Sequence, residues 1–229
     1  MKKLTHPEYA ELILRGPTKD GFNIATFEDK EIKVLGGIEG EVVSAKIFRF
    51  SRKRKSHIEA IVNSVIRSSD QRIIPKCKYF LECTGCQYQH LRYSQQLEIK
   101  TQRVQSELNS YQSLSNVKVD NALSAAHPFE YRNHARFTIR KNGKLGFINR
   151  VTRQFIKIDN CLIMHQKINS IIKKIQCKVA ETTQMSVRYG VNTDEYLIQP
   201  TLQNPEIDLK SGQLHYTDKL NEIPFRVSS

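Results

Sequence analysis

Long apolar runs are missing from this sequence. Although 39% of its 229 residues are hydrophobic, no run approaches the roughly 18 consecutive apolar residues that a membrane-spanning helix needs. The N-terminus, Met1-Lys2-Lys3-Leu4-Thr5-His6-Pro7-Glu8, is charged and has no apolar segment behind it, so it lacks the form of a secretory signal. A cytoplasmic protein with no membrane partner is expected. Cysteine is sparse and odd in number, five in all, which argues against a disulfide framework. There is no glycine-rich turn that follows a strand and opens a helix, so no dinucleotide-type cofactor site is expected within the chain. Internal repeats and low-complexity tracts are also missing.

Acidic residues are in deficit. Asp and Glu total 23 against 36 Lys and Arg, a formal charge of +13. Nucleic acid is the commonest partner for such a surplus, because each neutralised phosphate releases counterions. An anionic membrane is the rival, but no Lys-rich amphipathic helix with an aromatic face stands out.

The order of elements predicts an α+β chain of two domains. Five short alternating runs, Tyr9–Leu14, Phe22–Phe27, Glu31–Leu35, Glu41–Phe50 and His57–Ile66, are split by Gly and Pro turns. This is the pattern of a five-stranded OB-like barrel, expected over residues 1–68. From the end of the fourth run to the start of the fifth, Lys46, Arg49, Arg52, Lys53, Arg54 and Lys55 put six basic residues into ten positions. A solvated hairpin tip would look the same; the functional alternative is a loop that grips phosphates.

Residues 69–229 read as a second domain built on a mostly antiparallel sheet. A helix is expected over Ser94–Leu108, capped by Ser94, with Leu97, Thr101, Val104 and Leu108 on one face. Strands are expected at Arg136–Arg140, Lys144–Asn149 and Gln154–Ile158, with Asn142-Gly143 as a hairpin turn. A second helix is expected over His165–Ala180, followed by strands at Met185–Tyr189, Glu195–Gln199, Gln213–Thr217 and Phe225–Ser228.

Cys77, Cys83 and Cys86 lie within ten residues, and Cys161 follows 75 positions later. Three close thiols plus a distant one suit soft metals. The unpaired spacing favours an iron–sulfur cluster over zinc, and unbound thiols stay open as a third reading. Gly85 is expected to supply the tight turn between the last two thiols. Cys177, inside the second helix, reads as a small core residue.

These residues resemble a known family. Cys77-x5-Cys83-Thr84-Gly85-Cys86-x2-Gln89-His90-Leu91-x-Tyr93-x2-Gln96-Leu97 is similar to the signature of the RNA uracil-5 methyltransferases, in the cluster-bearing branch that modifies 23S ribosomal RNA. Tyr131-Arg132-Asn133, Gly146-Phe147 and Asp159-Asn160-Cys161 resemble later blocks of that family. Thr84 departs from it, standing where the family usually has Gly. The resemblance implies that the barrel is a TRAM domain and that a [4Fe–4S] cluster sits on Cys77, Cys83, Cys86 and Cys161. It also implies RNA as the partner, with ribosomal RNA favoured by the cluster cysteines and transfer RNA left open as the alternative, contacted by the barrel and by the second sheet, where Arg132, Asn133 and Arg136 are the candidates. His90 would order the entry to the first helix or pack near the cluster. The parent enzyme would use S-adenosylmethionine to make 5-methyluridine. The expectation for this chain is that it stops before the methyltransferase domain, holds no catalytic residue and is inactive alone, with 94–124 a helical insertion that docks on that domain. A stand-alone RNA-binding protein and a zinc-stabilised module are the alternatives.

Overall fold

The computed structural model describes residues 8–52, 55–200 and 214–216, of which Arg52, Lys55 and residues 214–216 are described by backbone alone. Two compact units emerge, Met1–Ser124 with Arg150–Arg153 and Ala125–Asn149 with Gln154–Ser229. Each is built on its own six-stranded sheet, in an α+β chain with few helices. No described helix is long and apolar enough to cross a membrane.

In the first unit the strands are β1 (Glu8–Ile13), β2 (Arg15–Pro17), β3 (Asn23–Phe27), β4 (Lys30–Leu35), β5 (Val42–Arg52) and β6 (Lys55–Arg67). Their order is β1-β5-β6-β4-β3-β2. The sequence pattern predicts one strand over Tyr9–Leu14, closed by a turn at Arg15-Gly16-Pro17. The chain instead breaks only at Leu14 and resumes pairing. One segment thus serves both edges of the sheet and closes it into a barrel, which removes the exposed edges that invite aggregation. Pro17 sits at a register shift, where a missing N–H costs no ladder bond.

Alternation explains the interior. Leu12, Leu14, Ala25, Ile32, Val34, Val43, Ala45, Ile47 and Ala60 fill the barrel. A smaller cluster holds Phe22, Leu35 and Val151, with Phe48, Phe50, Ile61 and Leu81 packed against it. Phe48 and Phe50 are therefore packing residues, and Phe50 stacks on His57 at 4.9 Å.

The first unit runs well past the expected boundary at residue 68, and polar bonds are the reason. Glu41 is fully buried (0% exposed). Its carboxylate accepts from Arg72 Nε and NH2, both at 2.6 Å, and from the N–H groups of Ile38 (2.9 Å) and Ser69 (3.1 Å). Arg72 also donates to the Gly36 carbonyl at 3.0 Å. Burial alone would raise the Glu41 carboxyl, but Arg72 and the two amides outweigh it and hold it below its usual range. His90, 1% exposed, bonds the Gly37 carbonyl through Nε2 at 2.9 Å. Main-chain bonds from Ile73 to His90 and from Arg92 to Gln71 complete the attachment. Both ends of the cysteine segment are thus stapled to the barrel.

Helix α1 (Tyr93–Asn109) starts one residue earlier than expected, so Ser94 lies in its first turn, and Arg92 at the cap position makes no side-chain cap bond. None of its residues is fully buried. Thr101 and Gln105 bond the backbone of the extended stretch at Val117, Val119 and Ala122, which runs alongside.

In the second unit β7 (His134–Arg140), β8 (Lys144–Ile148), β9 (Phe155–Lys157), β10 (Gln184–Gly190), β11 (Glu195–Gln199) and β12 (Leu214–Tyr216) lie in the order β12-β11-β10-β7-β8-β9. All neighbours are antiparallel except β11 and β12. Helix α2 (Gln166–Ile175) covers one face with Ile168, Ile171, Ile172 and Ile175, against Phe137, Leu145, Met185, Val187 and Ile198. Each buried Ile contributes about 1.5–3 kcal/mol. The expected hairpin turn is present, with Asn142 and Gly143 both at φ +66°. The helix ends five residues short of the expected Ala180. Gln176 leaves it to bond Leu145 and Ile158, and Cys177 turns left-handed at φ +68°. Cys177 is consequently exposed rather than a core residue. The expected strand at Phe225–Ser228 lies outside the described residues.

Removing one partner of a buried ion pair strands the other. Glu41→Ala is expected to cost about 3 kcal/mol, whereas Glu31→Ala, which breaks the exposed Arg15–Glu31 pair, should cost under about 1 kcal/mol. Denaturant unfolding of the two variants checks this. Acid acts in the same direction. Burial pushes His90 from 6.5 down to about 4, so between those values the unfolded chain binds more protons than the folded one. Stability from this group is full above 6.5 and is lost as the pH falls toward 4; Glu41, with its lowered carboxyl, adds a loss of the same sign. The melting temperature is expected to fall between pH 7 and pH 4, and to fall less in His90→Gln.

Candidate RNA interface and thiol loop

The loop 77–86 is wound by its own backbone. Phe80 N–H donates to the Cys77 carbonyl and Cys83 N–H to that of Tyr79. Leu81 (φ +69°) and Thr84 (φ +57°) both take left-handed conformations. Leu81 is packed on Gly36, where an added Cβ would lie 2.4 Å from its methyl group. The left-handed turn at the thiols therefore falls on Thr84, not on Gly85. Gly85 supplies space instead, since a Cβ there would meet Cys83 Sγ at 3.3 Å.

Left-handed backbone disfavours a β-branched residue by about 1–2 kcal/mol. Thr84, 6% exposed, offsets this by accepting the Arg150 N–H through Oγ1 at 2.9 Å. The cost of Thr in place of Gly is thereby tied to a specific bond. The Arg150 guanidinium lies 5.3 Å from the centre of the Phe22 ring.

Cys77, Cys83 and Cys86 are each half-buried. Thiols on a tightly wound loop have the donor chemistry of an iron–sulfur or zinc ligand set. Among the described residues, no three His, Cys, Asp or Glu side chains converge into a metal-holding group. Cys161, also half-buried, packs against the core of the second unit. Its backbone is held at both ends by the buried Asn169 side chain, which accepts from Cys161 N–H at 2.9 Å and donates to its carbonyl at 3.0 Å.

The basic candidates divide into three groups. Lys46 is half-buried on β5, its ammonium 5.7 Å from the Phe48 ring centre. Arg49 faces two carboxylates, bonding Glu8 through Nε and NH2 and Glu28 through NH1 and NH2. These keep its guanidinium charged and occupy the donors that a phosphate would need. Arg52 and Lys55 pair across the hairpin; Lys53 and Arg54 lie outside the described residues.

In the second unit Arg132 bridges to Met164 just before β7. Arg136 is exposed on β7 and donates to Gln184 at 2.6 Å. Asn133, just before β7, is exposed, and its carbonyl accepts from Tyr189 N–H. His134 and Arg188, which no sequence motif singles out, are register partners beside them. Partial burial lowers the His134 pKa, and Arg188, Arg132 and Arg136 lower it further. The alternation in Gln184–Gly190, which buries Met185, Val187 and Tyr189, was the available signal for Arg188.

No family model matches the chain. A protein of Aquifex aeolicus named as an uncharacterized RNA methyltransferase is 29% identical over 200 residues, 80% of this chain and 46% of that protein. A Bacillus cereus protein of the same description is 30% identical over 187 residues, 76% of this chain and 39% of that protein. In sequence, the chain is similar to RNA methyltransferases. It spans less than half the length of these curated relatives. The crystal structure of Pyrococcus abyssi tRNA (uracil-54, C5)-methyltransferase in complex with S-adenosyl-L-homocysteine shares the fold, with a TM-score of 0.56, 17% identity, and coverage of 94% of this chain and 53% of that one.

Substitutions at Thr84 separate strain from bonding. Thr84→Val keeps the strain and leaves the Arg150 amide unpaired, and is expected to cost about 1–3 kcal/mol. Thr84→Gly loses the same bond but relieves the backbone, so it should fall within about 1 kcal/mol of the parent. Thermal melts of the two variants test the order.

Proposed function

We propose that this chain is the RNA-binding portion of an S-adenosylmethionine-dependent RNA (uracil-5-)-methyltransferase. The observation that carries the reading is its similarity to proteins named RNA methyltransferases over three-quarters of its length or more. The cysteine signature and the surplus positive charge support it. In this reading the parent forms 5-methyluridine in 23S ribosomal RNA. A second reading, transfer RNA as substrate, is favoured by the fold shared with the Pyrococcus enzyme.

Residues in both units grip RNA flanking the target. An enzyme acting on a base must take it out of the stack, and the unpairing cost is met by contacts to neighbouring nucleotides. The barrel hairpin with Lys46, Arg52, Lys53, Arg54 and Lys55 supplies phosphate contacts, and Arg132, Asn133 and Arg136 supply others. Arg49 joins them only by leaving Glu8 and Glu28. The half-buried face of α1, with exposed Val104, Tyr111 and Leu123 nearby, is the surface on which the rest of the parent docks.

In this reading Cys77, Cys83, Cys86 and Cys161 are the residues that would hold a [4Fe–4S] cluster, as the resemblance of their spacing implies. When bound, it supplies iron–thiolate bonds that fix the ligand segments. Methyl transfer to a uridine carbon needs no electron, so a structural role suffices. Thr84 and Gly85 shape the turn between Cys83 and Cys86, and Asn169 holds the backbone of Cys161.

Neutralising Arg52, Lys53, Arg54 and Lys55 together to Gln is expected to weaken binding of single-stranded RNA. It should also flatten the dependence of log K on log salt by roughly 2–3, at about 0.7 per lost phosphate contact. An unchanged slope would remove the hairpin from the interface.

A further inference from the structure

The second sheet has two unlike faces. One is covered by α2. The other follows the alternate residues of β7, which are His134, Arg136, Thr138 and Arg140, spaced about 6.6 Å apart and spanning about 20 Å. Register places Arg188 of β10 beside His134, and Lys144 of β8 beside Arg140. His134, Arg136, Arg140, Lys144 and Arg188 are all exposed. Among the described residues of β7 through β11, Glu195 is the single acidic side chain, and it pairs with Gly190 near one edge.

This face ends in an aromatic. Gly146 pairs with Thr138 on it, and the space that a Cβ on Gly146 would need is taken by the Ile156 carbonyl, 2.0 Å away, and by the ring of Phe155, whose Cζ lies 2.8 Å from that position. The Arg140 guanidinium lies 6.0 Å from the Phe155 ring centre. A guanidinium held at a ring is both a phosphate donor and a plane on which a base can stack.

We propose that this open face is a second RNA-binding platform, on which a single-stranded segment lies along β7 with its phosphates on Arg136, Arg140 and Arg188 and a base at the Arg140–Phe155 end. The inference rests on the RNA-binding reading above and extends it to residues outside the resemblance, namely Arg140, Lys144, Phe155 and Arg188. Charge complementarity selects the occupant. The face concentrates cations in a row, as a polyphosphate chain requires, and offers a stacking surface at its end rather than an apolar groove. Single strands are gripped by this combination of basic track and ring.

The test uses the full chain and a fluorescein-labelled single-stranded RNA of about 15 nucleotides, with affinity measured by anisotropy across a salt series. Replacing Arg136, Arg140 and Arg188 together by Gln should weaken binding on the order of 10-fold or more at low salt and reduce the salt slope by roughly 2. Replacing the same three by Lys keeps the charge and should keep most of the slope, which separates lost contacts from a damaged fold. Phe155→Leu should weaken binding with the slope unchanged. If the parent chain binds RNA and the triple Gln variant matches it in affinity and slope, the platform is wrong and the face belongs to a protein partner. If the parent chain binds no RNA, the functional reading itself fails and the platform with it.

Discussion

A carboxylate buried at the base of a barrel is the constraint on which the first unit depends. Glu41 is shut off from solvent (0% exposed), so its charge must be met by protein. Arg72 and the amides of Ile38 and Ser69 meet it. Because Arg72 lies beyond the last barrel strand, satisfying Glu41 fixes where the chain goes next. His90 bonding Gly37 fixes where the cysteine segment returns. Between those two staples, Leu81 seated on Gly36 and Thr84 bonded to Arg150 decide how the thiol loop is wound. The barrel is therefore the base on which the thiols are mounted.

Much of this was legible in the sequence because solvent and core impose simple periods. Period-two runs located every described strand except β2, and the Ile spacing located α2. Features set by partners far along the chain were not legible. Nothing local to Glu41 points to Arg72, 31 positions away. The break at Leu14 that closes the barrel resembles an ordinary strand end. Helix α2 stops at Ile175 because Gln176 is needed by Leu145 and Ile158, which no helical pattern reveals. Gly85 attracted the turn on composition, yet Thr84 adopts it, since a bond from Arg150 offsets the strain.

The basic residues show how geometry sorts a charge surplus. Arg49 lies in the densest basic run but is engaged by Glu8 and Glu28. Arg188 lies outside any basic run, in β10, but completes a cationic row with His134 and Arg136. A surplus of positive charge names a class of partner; only the pairing of individual cations with carboxylates shows which remain available to it. Similarity to RNA methyltransferases and a row of cations on an open sheet face are independent observations that converge on RNA.

The central claim, that this is the RNA-binding portion of a cluster-bearing uracil-5 methyltransferase, is most directly tested by an ultraviolet–visible spectrum with iron and sulfide analysis of anaerobically purified protein. The account predicts broad absorption near ~400 nm and about four irons and four sulfides per chain. A colourless protein carrying one zinc, or no metal at all, would contradict it.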